Sequence, residues 1–181
     1  MAVNKLVALY DKTLVKLLGW KHMPGSKYNF LYFVPKIYKG KDVTIKDGTV
    51  IRKGDKILEI HIDNPNLINL DTGYSSLFIM LREELANLGR LLPDKEYEEY
   101  KAVFAITLLY RLASRAGFTV YEFESTFRRR MVSLGENILR ATLRKEKEDK
   151  NKKTKKRIAK VCWISRDQIM NIEMENESKN E

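Results

Sequence analysis

From Tyr28 to Asp63 apolar residues recur at every second position, with aromatic and β-branched side chains in Tyr28–Val34, Val43–Ile45, Thr49–Ile51 and Lys56–Ile62. A period of two predicts strands that bury one face. Asp47-Gly48 and Lys53-Gly54-Asp55 supply the turns between them, and Pro35 marks a strand end or a sheet edge. These segments predict a small antiparallel meander.

The flanking segments follow the helical period. Before the strands, Val3, Leu6, Val7, Tyr10, Leu14, Leu17 and Leu18 form one apolar face that stops at Gly19. After them, Leu77, Phe78, Leu81, Leu85, Leu88 and Leu92 make a second stripe, ended by Pro93. Asp94 suits the cap of a third helix with Glu96, Glu98 and Glu99 in its first turn, apolar nearly all round from Ala102 to Ala113 and expected as the central core element. Phe118–Phe123 reads as a strand, and Ser125 or Thr126 opens a helix whose inner face is Phe127, Met131, Leu134, Ile138 and Ala141. Ile158–Ile164 is short and β-prone, and the Ser165/Gln168 spacing is a capping box for a last helix. The expected fold is therefore α+β: a small antiparallel β-sheet packed with about four main helices in a single domain over 1–173. Segment 145–157 is expected as a basic mobile connector and 174–181 as a polar disordered tail.

Composition narrows the setting. The 181 residues carry 34 Lys+Arg against 24 Asp+Glu, a net charge of +10, which favours phosphate- or carboxylate-bearing partners. Much of the surplus is local, because Arg140–Lys160 holds eleven basic residues opposed by Glu146, Glu148 and Asp149. One cysteine, Cys162, excludes an internal disulfide and reads as a small buried hydrophobe. Charged residues interrupt the N-terminal apolar stretch, and no run approaches the ~18 apolar residues of a membrane span. A cytoplasmic protein is expected, with contact at the inner membrane face left open.

Three groups of residues could carry chemistry. Alternation in Lys56–Asp63 puts Glu59, His61 and Asp63 on one strand face, where i, i+2 spacing suits a metal or an acid/base pair. The plainer reading is the polar outer face of a sheet. His22 has no ligand set in its sequence neighbourhood. Arg128 and Arg129 follow an expected helix start, where they oppose the dipole unless an anion binds or, equally, Glu122, Glu124 and Glu136 neutralise them, and Arg111 and Arg115 could join them. Lys152, Lys153, Lys155 and Lys156 could contact nucleic acid or an anionic membrane surface, although no aromatic residue interleaves the run as a stacking platform would require. No phosphate-loop, dinucleotide, nucleophile-elbow or zinc-protease motif is present, so no cofactor or metal is expected.

The stretch Asp47-Gly-Thr-Val-Ile-Arg-Lys-Gly-Asp-Lys-Ile-Leu-Glu-Ile-His-Ile-Asp-Asn64 resembles the YkoP-like family of uncharacterised bacterial proteins. So do Leu108-Leu-Tyr-Arg-Leu-Ala-Ser-Arg-Ala-Gly-Phe-Thr-Val120 and Val161-Cys-Trp-Ile-Ser-Arg166, and the likeness runs from about Gly19 to Ile169. The resemblance implies a stand-alone domain or a partner of polysaccharide-deacetylase-type catalytic domains, and it brings no established activity. This chain has no deacetylase metal motif of its own. His61, Asp63, Asn64, Arg111, Trp163 and Arg166 match the family's motif positions without an assigned role. The favoured expectation is a non-catalytic binding or accessory domain for an anionic partner, in the setting of cell-envelope polysaccharide or lipid-linked metabolism. A nucleic-acid binder using the basic 144–160 segment comes second, and an enzyme using Glu59, His61 and Asp63 third. Oligomeric state is not readable.

Overall fold

The computed structural model describes residues 20–67, 70, 73–122 and 158–178. The expected N-terminal helix, the helix after Ser125, the connector 145–157, and Arg128, Arg129, Lys152, Lys153, Lys155 and Lys156 lie outside the described residues.

The strands are β1 (Lys21–His22), β2 (Leu31–Ile37), β3 (Val43–Thr44), β4 (Val50–Ile51), β5 (Lys56–Ile62), β6 (Tyr100–Thr107), β7 (Thr119–Tyr121) and β8 (Lys160–Ser165). The helices are the single turn α1 (Asn64–Leu67), then α2 (Tyr74–Leu91), α3 (Tyr110–Arg115) and α4 (Arg166–Glu177). Six strands form one sheet in the order β1-β2-β5-β6-β8-β7, and β3 pairs with β4 in a separate hairpin.

The sheet corrects the expected architecture. It is mixed, not antiparallel, because β5 and β6 run parallel in the register Ile57↔Ala102 to Ile60↔Ala105. Among the described residues three helices longer than one turn accompany eight strands, so this is not about four main helices on a small antiparallel sheet. The error lies in Ala102–Ala113. Apolar residues on all sides fit a buried helix and equally a strand covered on both faces. Tyr100, Val103, Phe104, Ile106 and Thr107 are the β-prone residues that tip the balance. β6 is thus a central strand, and α1 with α2 forms the crossover that a parallel neighbour requires.

Period-two alternation sorts the sheet's side chains between two apolar layers. Leu58, Ile60, Val103, Ala105, Cys162 and Ile164 meet Leu81, Leu85 and Leu88 of α2 and Ile169 and Ile172 of α4 on one face. On the other, Ile57, Ala102 and Trp163 meet Ile45 and Ile51 of the hairpin. Gly89 lets α2 and α4 approach closely, since a Cβ there would stand 2.6 Å from the Glu173 Cβ. The Asp47-Gly48 turn forms as expected, with Gly48 at φ 88°, and the Asp47 carboxylate accepts a 2.5 Å hydrogen bond from Ser165 Oγ. Ser165 also caps α4 through the expected capping box with Gln168.

Pro35 lies within β2, opposite Leu58. Backbone bonds from Asp63 N–H to Phe30 O and from Tyr38 N–H to Asp55 O put the bonded pairs of β2 and β5 at even β2 positions. The Pro35 nitrogen therefore faces away from β5, beyond Phe33, the last partner of β1 among the described residues.

Candidate functional site: a histidine and carboxylate cluster at the sheet edge

Cross-strand register builds the cluster. His22 on β1 lies opposite Tyr32 on β2, and Tyr32 lies opposite His61 on β5, so the three side chains share one face in a row. The His22 ring stacks on Tyr32 with centroids 4.4 Å apart, and Trp20 stacks on His61 at 3.9 Å and 13°.

Asp63 and Glu59 occupy different environments. Asp63 follows the last residue of β5 and caps α1, accepting a 3.0 Å bond from the Asn66 N–H on Oδ1. Its Oδ2 receives Tyr32 Oη at 2.6 Å, His22 Nε2 at 2.9 Å and Asn66 Nδ2 at 3.0 Å. The residue is 4% exposed. With four donors on two oxygens, this carboxylate is committed to tying β1, β2 and α1 together.

Glu59 faces Lys36 Nζ at 3.0 Å and His61 Nε2 at 3.6 Å. Burial alone would push its carboxyl up, but His61 and Lys36 outweigh burial and hold it down from 4.5 to about 2. A carboxylate held that low is a weak base at neutral pH. Because the folded value is depressed, its stabilisation is present above the ordinary 4.5 and lost as pH falls toward about 2. Between pH 4.5 and 2 the wild type should therefore lose up to about 3 kcal/mol more stability than Glu59→Gln. Urea unfolding at several pH values checks this, and parallel stability curves for the two proteins would contradict it.

The sheet face thus brings Glu59, His61 and Asp63 near one another, as the alternation implies, but divides them into two pairs. Asp63 goes with His22, and Glu59 with His61. Among the described residues no group of three or more His, Cys, Asp and Glu is placed to hold a metal ion. Sequence reading missed Trp20, His22 and Tyr32, which reach the site through strand pairing over 31 to 41 residues of chain.

The other candidates are spread more widely. Arg111 is exposed in the first turn of α3. Arg115 ends that helix, with its guanidinium 4.6 Å from the Phe78 ring centroid and 5.8 Å from that of Tyr74. Arg166 bonds the carbonyl oxygens of Tyr97, at 2.9 Å, and Leu92, fastening the end of α2 to α4. Trp163 is 1% exposed, in the layer under the hairpin.

Register also locates one end of the sheet. β5 and β6 run parallel, Thr107 at the end of β6 lies opposite Lys160 at the start of β8, and Tyr121 at the end of β7 lies opposite Val161. Asp63, Arg111, Glu122 and Ile158 are therefore all at or just beyond the same end. No described helix is long and apolar enough to cross a membrane.

Known proteins place the chain further. It is 32% identical over 91 residues to the "Uncharacterized protein YkoP" of Bacillus subtilis (strain 168), an alignment covering 46% of this chain and 50% of that relative. The match thus spans about half the relative's length. No solved structure matches. The model of the YkoP domain covers residues 1–173, and the chain belongs to that family.

Proposed function

We propose that this domain is a non-catalytic binding module for an anionic, phosphate- or carboxylate-bearing partner, engaged at the sheet end where β5, β6 and β7 finish. The observation that carries this reading is the position of the charge. Residues 123–157 contain 13 Lys+Arg against 5 Asp+Glu, a net +8 of the chain's +10. The residues bounding that segment, Glu122 and Ile158, stand at the sheet end that also bears Arg111. The remainder of the chain is close to neutral, so along the sequence the attraction for an anion is concentrated in the segment that leaves and re-enters the described fold at this end. Arg128 and Arg129 are the proposed specific contacts, and Arg111, exposed at that sheet end, is a third candidate. Arg115 is engaged with two aromatic rings and contributes less.

The acid/base reading is weaker because the carboxylates it needs are committed. Asp63 accepts four hydrogen bonds, and Glu59 is held down by His61 and Lys36. Anionic groups of cell-envelope polysaccharide or lipid-linked intermediates suit such a module. Nucleic acid is the competing partner. It is placed second because the run containing Lys152, Lys153, Lys155 and Lys156 has no interleaved aromatic residues.

A fluorescently labelled single-stranded oligonucleotide, used as a phosphate polymer, should bind with an affinity that falls steeply with salt. Changing Lys152, Lys153, Lys155 and Lys156 together to Gln should reduce the log–log salt slope by about 3 if each lysine neutralises one phosphate. Competition by inorganic polyphosphate at equal charge favours general anion recognition, whereas resistance to it favours nucleic acid. An unchanged slope in the four-site variant would remove the segment from the account.

A further inference from the structure

The chain contains two histidines, His22 and His61. The fold sets both on one face at the sheet edge, on either side of Tyr32 in the strand register. β1 is the outermost strand there and has two register pairs, Lys21↔Phe33 and His22↔Tyr32. So short a strand gains little from its backbone ladder. Side chains supply much of the remaining attachment: His22 stacks on Tyr32 and bonds Asp63, and Trp20 stacks on His61. The turn leading to β2 is anchored separately. Buried Glu84 of α2 accepts Ser26 Oγ at 2.6 and 2.8 Å, and Asn87 Nδ2 donates to Pro24 O at 2.8 Å.

Each imidazole faces a carboxylate, His22 Nε2 at 2.9 Å from Asp63 and His61 Nε2 at 3.6 Å from Glu59. Among the described residues His61 Nε2 is buried and has no hydrogen-bond partner. Among the described residues, Glu59 faces His61 and is itself paired with Lys36, Asp63 and Tyr32 face His22, α1 contributes Asn66, and β6 presents uncharged Phe104 opposite Glu59. Lys21 alternates to the other face of the sheet.

The geometry points to a pH-sensitive latch, in which two imidazolium rings hold Trp20 and β1 against the sheet and deprotonation loosens them. A charged His61 is attracted to Glu59 across 3.6 Å, and a neutral ring loses that attraction while its Nε2 stays without a hydrogen bond among the described residues. Neutral His22 can still donate to Asp63 but loses the attraction between full charges. Trp20 therefore loosens first and β1 second. The latch is tightest where both rings carry a charge, and histidine is the side chain whose charge changes most readily between about pH 5 and 8. The mechanism is independent of anion binding at the sheet end.

Two readings test it in the full chain. The difference in fluorescence between the wild type and Trp20→Phe isolates Trp20, which should shift to the red from pH 5 to 8, and His61→Gln should flatten that shift. Amide protection at Lys21–Met23, corrected for intrinsic exchange, should fall on the order of tenfold over the same range, and His22→Gln should reduce the change. Should either variant fail to fold, histidine-ring NMR on the wild type decides, because the midpoint of a ring titration must coincide with that of the Trp20 shift. Trp20 emission and β1 protection that do not vary with pH, an unchanged response in the folded variants, or non-coincident midpoints would overturn the latch.

Discussion

Replacing Asp63 by Ala should lower the unfolding free energy by about 3–5 kcal/mol, because four donors then lose one buried acceptor group. Those donors come from three elements: His22 on β1, Tyr32 on β2, and the Asn66 backbone and side-chain nitrogens in α1. The substitution also removes the side-chain cap of α1. Asp63→Asn keeps one acceptor oxygen and should lose about half as much. Chemical denaturation separates this from a catalytic role, which predicts folded variants of near-normal stability. The Asp63→Asn protein should still bind anions through the contacts proposed for Arg128 and Arg129.

Trp163→Ala should cost about 3–5 kcal/mol, as truncation of a fully buried aromatic does when the site cannot collapse. Its indole meets Tyr38 edge-on at 5.3 Å and Phe104 at 4.6 Å, in the layer that Ile45 and Ile51 of the hairpin complete. The hairpin is otherwise held by polar contacts such as the 3.0 Å bond from Lys46 N–H to Thr119 Oγ1 and that from Ser165 Oγ to Asp47. Hydrogen exchange at Ile45 and Ile51 should therefore accelerate more than exchange in β6. Uniform acceleration would mean that the indole supports the whole sheet and not chiefly the hairpin.

These positions also show which parts of the fold could be read from the sequence. β5 is expected and found over Lys56–Ile62, because Leu58, Ile60 and Ile62 alternate with Glu59 and His61 and its residues are β-prone. The Asp47-Gly48 turn, the α2 stripe and the Ser165 cap are local signals and also appear in the fold. β6 reads as a helix in the sequence because a strand covered on both faces has lost its alternation. That single error hid the parallel pair and made the sheet look antiparallel. β2 runs past Pro35 because its nitrogen happens to face the unpaired side, a matter of register that no local pattern reveals.

The candidate site was legible to the same depth. Alternation correctly put Glu59 and His61 on one face, while the partners that decide their roles come from other strands. His22 looked isolated because Asp63 is 41 residues away in sequence. The arginine and lysine candidates were visible as charge runs, and topology adds that the bounds of the basic segment share a sheet end with Arg111.

The most direct measurement of anion recognition is thermal unfolding in increasing inorganic phosphate at constant ionic strength, for the wild type and for Arg128→Gln/Arg129→Gln. A specific site predicts a saturable rise in Tm for the wild type, worth about 2.7 kcal/mol at a hundred times the dissociation constant, and no such gain in the double variant. Guanidinium groups and backbone N–H donors hold a phosphate in a fixed geometry that lysine charge alone does not provide. An equal rise in both proteins, or a rise that never saturates, would contradict the site and leave only general salt effects.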